Sequence, residues 1–274
     1  MNAQSYAGKT ALITGGGSGL GRSMAQGFAE HGAHVCVIGR RQEALDETVK
    51  LIEEHGGKAF GLACDVRDAA RVAEIVEETV SRTGSLDVLV NNAAGNFIAP
   101  SELLSPNGFK SVVDIVLNGT FYCTRAAFPA LQKSRGSIVN IIATYAWSGE
   151  PGAIHSACAK AGVLAMTRTL AAEWGRFGIR CNAIAPGPIH TEGTDKNLWS
   201  VAGVVEAVEG HVPLGRLGEP QDVTKAALWL CSEDASWISG AALPVDGAHW
   251  LSGGTLDFRK MYDQAVSGKA HPQT

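Results

Sequence analysis

Close to its start the chain reads Thr14-Gly15-Gly16-Gly17-Ser18-Gly19-Leu20-Gly21, set between a short apolar run and a helical pattern. Glycines without Cβ atoms let the backbone turn sharply and approach a ligand closely. The helix that follows offers free N–H groups and the positive end of its dipole to an anion. A strand, a glycine-rich turn and a helix in that order are the opening of a βαβ unit that takes a pyrophosphate at the helix N-terminus. Gly15, Gly17, Ser18, Gly19 and Leu20 are therefore candidate cofactor-binding positions.

The rest of the chain extends that opening. Short apolar runs at Thr10–Thr14, His34–Ile38, Ala59–Cys64, Val88–Asn91, Ser137–Ile141, Ile179–Ala185 and Ala242–Val245 read as strands. Helical patterns begin near Gly19, Gln42, Ala69, Gly108, Gly152 and Gln221; the second carries Leu45, Val49 and Ile52 at helical spacing. Strict alternation predicts parallel strands joined by right-handed crossovers, with helices on both faces of the sheet. The strands lack polar alternation, as a sheet covered on both sides requires. The expectation is one doubly wound α/β domain over residues 1–274, with a mostly seven-stranded parallel sheet. Residues 189–215 break the rhythm and read as an excursion covering a ligand, and residues 257–274 as a polar tail.

A formal net charge of −4 argues against a partner drawn by a global basic field, such as nucleic acid or anionic lipid. The first ten residues lack the pattern of a secretory signal, and no run approaches the roughly 20 apolar residues that span a bilayer. Cys36, Cys64, Cys123, Cys158, Cys181 and Cys231 are dispersed, with no CxxC pair, and read as buried reduced thiols of a cytoplasmic protein. No metal site is expected.

The end of the second strand selects the cofactor. An acidic residue there would bind the ribose 2′-OH of NAD; this chain has Gly39-Arg40-Arg41, whose Arg40 would neutralise a 2′-phosphate. NADPH is the expected cofactor. Asp65, after the third strand, is placed to meet the adenine amino group.

Together with Asp65-Val66, Asn91-Asn92-Ala93-Ala94-Gly95, Lys160 on a helix and Pro186-Gly187-Pro188-Ile189, the glycine turn resembles the short-chain dehydrogenase/reductase family over roughly residues 8 to 250. The resemblance implies a Rossmann fold. It adds Val66, Asn92, Ala93, Gly95, Lys160, Pro186, Gly187 and Ile189 to the cofactor-binding set. In the family's usual form a Tyr stands four residues before the Lys and a Ser thirteen before that Tyr. Here those positions are Ser156 and Ala143. A serine hydroxyl is far too weak an acid to replace a phenol of pKa ~10. Either the site is inactive or another group supplies the donor. Tyr145, just past the fifth strand, lies at the sheet edge where ligands bind.

That rearrangement resembles the 2,4-dienoyl-CoA reductase subfamily. The likeness extends through Ala93–Phe97, Val116–Thr120, Ser156–Lys160, Leu170–Gly175 and Asp234–Ile238, and includes a Tyr fifteen residues before the Lys. It implies NADPH-dependent reduction of a 2,4-dienoyl-CoA to a 3-enoyl-CoA, in the β-oxidation of unsaturated fatty acids. Tyr145 and Asn96 would hold the thioester oxygen of the dienolate, Lys160 would hold the nicotinamide ribose and Ser156 would support the arrangement. Arg67, Phe97 and Ser105 would join Tyr145 in binding the acyl-CoA, Arg67 at a CoA phosphate. Where the subfamily places another CoA-contacting arginine, this chain has Asn197 beside Lys196. Asn118 has either a bridging role near Lys160 or a structural one, and His155 is expected to point off the active face of its helix. The resemblance implies a homotetramer whose helices near Gly108–Leu131 and Gly152–Trp174 pair between subunits, and both read as unusually apolar, with Val112, Val113, Ile115 and Val116 on the first and Val163, Leu164 and Met166 on the second. Three alternatives stay open: a reductase of 3-oxoacyl thioesters or other ketones, a 2-enoyl thioester reductase, and a non-catalytic NADPH-binding protein.

Overall fold

A computed structural model describes residues 4–193 and 204–252. Lys196, Asn197, the tail at 257–274 and part of the 189–215 excursion lie outside the described residues.

Seven strands form one parallel sheet: β1 (Thr10–Thr14), β2 (His34–Gly39), β3 (Lys58–Ala63), β4 (Val88–Asn91), β5 (Ser137–Ile141), β6 (Arg180–Pro186) and β7 (Ala242–Val245). Their order across the sheet is β3-β2-β1-β4-β5-β6-β7, so the order reverses between β1 and β4. Crevices of this kind form outside the carboxyl ends of strands at such a switch point. The doubly wound α/β expectation is met, with β3 and β6 each displaced by one residue from the sequence reading.

The central strands are fully buried because each face has its own core. Ile13, Val35, Val37 and Val139 face one cluster with Met24 and Phe28 of α1 (Gly19–Glu30). Their neighbours Leu12, Cys36 and Ile138 face the other, with Ile75 and Val76 of α3 (Ala69–Thr83). A period of two with both faces apolar is why the runs read as unbroken. On the same face as α1 lies α2 (Gln42–Glu54), which buries Leu45 and Ile52 as its spacing predicts.

Local chemistry sets the helix ends. Asp68 caps α3 by accepting from Ala70 N and Arg71 N, and Ser105 caps α4 (Pro106–Val113) by accepting from Gly108 N at 3.0 Å. The long helical pattern from Gly108 divides into α4, a π turn at Asp114–Asn118 and α5 (Gly119–Ser134). A short α6 (Tyr145–Ser148) follows β5 and leads to α7 (Ile154–Trp174). Beyond β6 come α8 (Val204–Glu209) and α9 (Pro220–Cys231), the latter opened by a capping box between Glu219 and Asp222.

Val112, Val116, Val163 and Leu164 of the two apolar helices are buried together in a third core within this one chain. One expectation changes. Cys158 is exposed on α7, while the other five cysteines are buried and all six are free thiols. Its helical phase turns it away from Ala159 and Lys160, which face inward.

Candidate active site

A cleft opens at the carboxyl ends of β1 to β4. Gly15, Gly17 and Ser18 form one wall, Arg40 and Arg41 another, and Asp65, Val66, Ala93, Ala94 and Ile115 close it. Gly15 and Gly19 adopt φ of +67° and +52°, in the left-handed region that favours glycine. At Gly21 an added Cβ would lie 2.1 Å from the Gly15 carbonyl oxygen, so no larger residue fits. Ser18, the N-cap of α1, makes no side-chain capping hydrogen bond. The cradle thus has the room and the helix end that a dinucleotide pyrophosphate needs.

Side chains from three other segments hold this loop. Asn92 Nδ2 donates to the carbonyls of Thr14 (3.0 Å) and Gly15 (3.3 Å), and Thr14 Oγ1 accepts from Asn92 N and Ala93 N. Arg22 donates to Gly17 O at 2.7 Å, and the buried Thr48 donates to Gly16 O at 3.0 Å. Asn92 therefore acts on the loop itself. Arg22 and Thr48 were not singled out from sequence, because their contacts cross between α1, α2 and the turn.

Arg40 is exposed at the mouth of the cleft. Asp65 and Arg67 form a bidentate pair, with Nε 3.0 Å from Oδ1 and Nη2 2.5 Å from Oδ2. That hydrogen bonding holds the Asp65 carboxyl below its usual range, with Arg40 adding to the effect. Arg67 is thus folded back onto Asp65, which lines the cleft. The pair is partly solvent-exposed, at 44% for Arg67 and 31% for Asp65, and such pairs exchange partners at little cost.

The other expected residues gather around the first turns of α7. Tyr145 Oη lies 3.1 Å from Ser156 Oγ, and Ser156 is buried. Burial pushes the Tyr145 phenol above its ordinary range; the Ser156 hydrogen bond opposes the rise and Glu150 adds to it. The phenol therefore stays protonated as a donor. One turn beyond Ser156, Lys160 is buried and donates from Nζ to the Ile141 carbonyl at 2.5 Å. Burial alone brings its ammonium down to about 8.

Asn96 and Phe97 sit on the exposed loop after β4. This loop rests on the start of α7: Ala99 N donates to Gly152 O at 2.9 Å, and the Phe97 ring meets His155 edge-on. His155, expected to point off the active face, is instead buried against that loop. Ser105 uses its hydroxyl as a helix cap, and Asn118 donates to Asp114 Oδ1 at 3.0 Å, which favours its structural reading. Gly187 packs where a Cβ would lie 2.5 Å from that of Asp246, and Ile189 is buried in the core.

Beneath the site runs a polar chain absent from the sequence reading. Asn91 Nδ2 donates to Thr124 Oγ1 (3.0 Å) and Asn140 Oδ1 (2.8 Å), and Asn140 Nδ2 donates to Thr167 Oγ1 (2.9 Å). It ties β4 and β5 to α5 and α7 just below Ile141, the residue that accepts from Lys160. Among the described residues no cluster of His, Cys, Asp and Glu could hold a metal ion, and no helix is long and apolar enough to cross a membrane.

Known proteins resemble this chain over most of its length. A family profile described as enoyl-(acyl carrier protein) reductase matches residues 15–248. A Bacillus subtilis protein named "Probable 2,4-dienoyl-CoA reductase [(2E)-enoyl-CoA-producing]" is 49% identical over 247 residues, covering 89% of this chain and 97% of its own length. The peroxisomal 2,4-dienoyl-CoA reductase [(3E)-enoyl-CoA-producing] of Arabidopsis thaliana is 44% identical over 260 residues, covering 89% of this chain and 85% of its own. The crystal structure of a short chain dehydrogenase from Bacillus anthracis superposes with a TM-score of 0.82 at 45% identity, covering 91% of this chain and 99% of that one.

Proposed function

The chain belongs to the short-chain dehydrogenase/reductase family and is an oxidoreductase of its 2,4-dienoyl-CoA reductase branch, and from that premise we propose that it uses NADPH to reduce a 2,4-dienoyl-CoA to a 3-enoyl-CoA. The observation that carries this reading is the 3.1 Å contact between Tyr145 Oη and Ser156 Oγ. It brings a phenol from the end of β5 to the lysine helix, at the position where the usual family Tyr is missing. A donor moved in this way suits a reaction whose charge develops away from the carbon attacked.

When bound, NADPH supplies the hydride, which adds to C5 of the conjugated thioester. Electrons then pass through C4–C2 to the thioester oxygen as a dienolate. Tyr145, its phenol kept neutral by burial, donates to that oxygen, while Ser156 Oγ–H donates back to Tyr145 Oη and fixes its direction. Asn96 Nδ2 supplies a second donor from the loop resting on α7. Preorganised donors aimed at developing charge are among the largest sources of rate enhancement. Lys160 holds the nicotinamide ribose and keeps the potential at the oxygen positive. Water then protonates C2 to leave the double bond at C3. Protonation at C4 would leave it at C2, which is the product named for the Bacillus subtilis relative.

The glycine cradle, Arg40 and Asp65 fit NADPH, with Val66, Ala93, Gly95, Pro186, Gly187 and Ile189 completing the walls. Phe97 and Ser105 line the acyl side, and Arg67 turns from Asp65 to a CoA phosphate. The assembly in this reading is a cytoplasmic homotetramer of one-domain chains, supported by Phe121 and Ile154, which leave apolar surface on α5 and α7 at 48% and 40% exposure.

The test is turnover of 2,4-hexadienoyl-CoA with NADPH in D2O, followed by location of the deuterium. Label at C2 fits the proposal, label at C4 moves the product to the 2-enoyl form, and turnover of 3-oxoacyl-CoA alone makes the protein a carbonyl reductase. NADPH binding without turnover of either leaves the non-catalytic reading.

Cofactor choice gives a second prediction. Arg40→Asp removes the cation facing the 2′-phosphate and places a carboxylate there, so kcat/KM for NADPH should fall by about 10- to 100-fold, the value of one charge-assisted hydrogen bond. NADH should gain relative to NADPH in the same assay. An unchanged preference would remove Arg40 from the cofactor site.

A further inference from the structure

His155 is fully buried on the first turn of α7, and neither ring nitrogen has a hydrogen-bond partner. Leaving a buried polar group unpaired is destabilising, because its lost hydration is not replaced. A residue kept for stability alone would be apolar at this position, so the imidazole calls for another explanation.

The geometry of its contact supplies one. The His155 ring meets the Phe97 ring edge-on, with centroids 4.4 Å apart and planes at 84°. That separation lies just below the short end of the usual range of roughly 4.5–7 Å for aromatic pairs. A five-membered ring allows the approach where a six-membered one would push Phe97 outward. On its other side Phe97 Cζ lies 3.2 Å from where a Cβ on Gly108 would be, so α4 limits it there. Phe97 is thus seated between the first turns of α4 and α7, with 42% of its surface left open. Its chain neighbour is Asn96, and the residue after His155 is Ser156, which holds Tyr145. One buried ring therefore touches the loop of one proposed donor from the helix turn that supports the other.

We propose that His155 is a positioning residue: its ring sets the plane of Phe97, so that Phe97 seats the acyl thioester in the ground state beside Asn96 and Tyr145. This rests on the thioester-reductase reading above. His155 acts through Phe97, and its nitrogens are not used.

The test is a double-mutant cycle with His155→Leu, Phe97→Ala and the combined variant. Leucine keeps apolar volume and removes the two unpaired nitrogens, so His155→Leu should be at least as stable to heat as wild type. It should nonetheless raise KM for dienoyl-CoA about tenfold, with kcat within about threefold and NADPH affinity unchanged. Phe97→Ala should do the same, and the double variant should stay within about twofold of the worse single, as expected of residues acting through one contact. An unchanged KM in His155→Leu, or KM effects that multiply in the double variant, would overturn the proposal. If wild type fails to reduce the dienoyl thioester, the functional reading falls, and the seat is then tested by amide hydrogen exchange at residues 96–99 of the NADPH-bound protein. Exchange there should speed up about tenfold in each single variant and no further in the double, since both open the same local structure. Exchange unchanged by His155→Leu would overturn the positioning role.

Discussion

Tyr145→Phe should lower kcat for a 2,4-dienoyl-CoA by about 10²–10³ while leaving the affinity for NADPH unchanged, the loss expected on removing one preorganised oxyanion donor. The substitution keeps the ring and deletes only the hydroxyl that lies 3.1 Å from Ser156 Oγ. Ser156 is buried, so it loses a partner, which costs about 1–3 kcal/mol of stability. Thermal melting therefore has to accompany the kinetics, to keep a fold defect apart from a chemical one. If the phenol acts on charge present only in the transition state, kcat and kcat/KM fall together. A rise in KM alone would make Tyr145 a ground-state contact. Activity within about threefold of wild type would make it the packing aromatic that its neighbour Trp147 is, edge-on to Trp250 at 5.6 Å.

Ser156→Ala sharpens the point. If Ser156 only aims the phenol, its loss should cost less than that of Tyr145 itself, and the double variant should resemble Tyr145→Phe. This non-additivity is the mark of two groups working as one unit.

The parts of this site that could be read from sequence are those fixed by chain-local chemistry. A glycine that must adopt positive φ announces itself, as Gly15 and Gly19 do, and a charge at a strand end such as Arg40 stays where the strand puts it. The strands were legible because both faces are buried, which left no polar alternation to confuse them. The strand boundaries drifted by a residue at β3 and β6, where the edge strand β3 is only half covered and the hydrophobic signal fades. Less accessible were contacts that depend on where a side chain points after distant elements pack. Thr48 reaches Gly16 across 32 positions, and Asn91 reaches Asn140 across 49. Nothing in the local sequence announces either. His155 was misplaced for the same reason, since spacing along α7 gives its angle on the helix but not the loop that comes to cover it. Tyr145 falls between the two cases. Its position past β5 marked it as a candidate, and only the packing of α6 on α7 supplied its partner.

Lys160→Met should make the protein more stable at neutral pH and nearly inactive. Lys160 is buried with 6% of its surface exposed, and its ammonium has one described acceptor, the Ile141 carbonyl. Burial lowers its pKa from 10.5 to about 8. Below pH 8 both the folded and unfolded chains carry the proton, and the folded state bears the full cost of burying the charge, roughly 3 kcal/mol. As pH rises from 8 towards 10.5 the folded protein gives up the proton first, so the unfolded state binds more protons and wild-type stability rises relative to the variant. Urea unfolding should therefore find Lys160→Met ahead at pH 7 by about 1–3 kcal/mol, once repacking is counted, with the gap closing at alkaline pH. In the proposed mechanism, losing the charge would also remove the ribose contact and the positive potential at the oxygen, so kcat/KM should fall by at least about 10². A protein that keeps a buried ammonium at such a cost needs the charge when its ligand is present. NADPH binding should then return acceptors to Nζ and raise its pKa, drawing in a proton near pH 8. Calorimetric titration of NADPH in two buffers of different ionisation enthalpy measures that uptake, and Lys160→Met should abolish it. If wild type takes up no proton, or the variant is the less stable protein at pH 7, Lys160 is a structural residue satisfied by Ile141 alone.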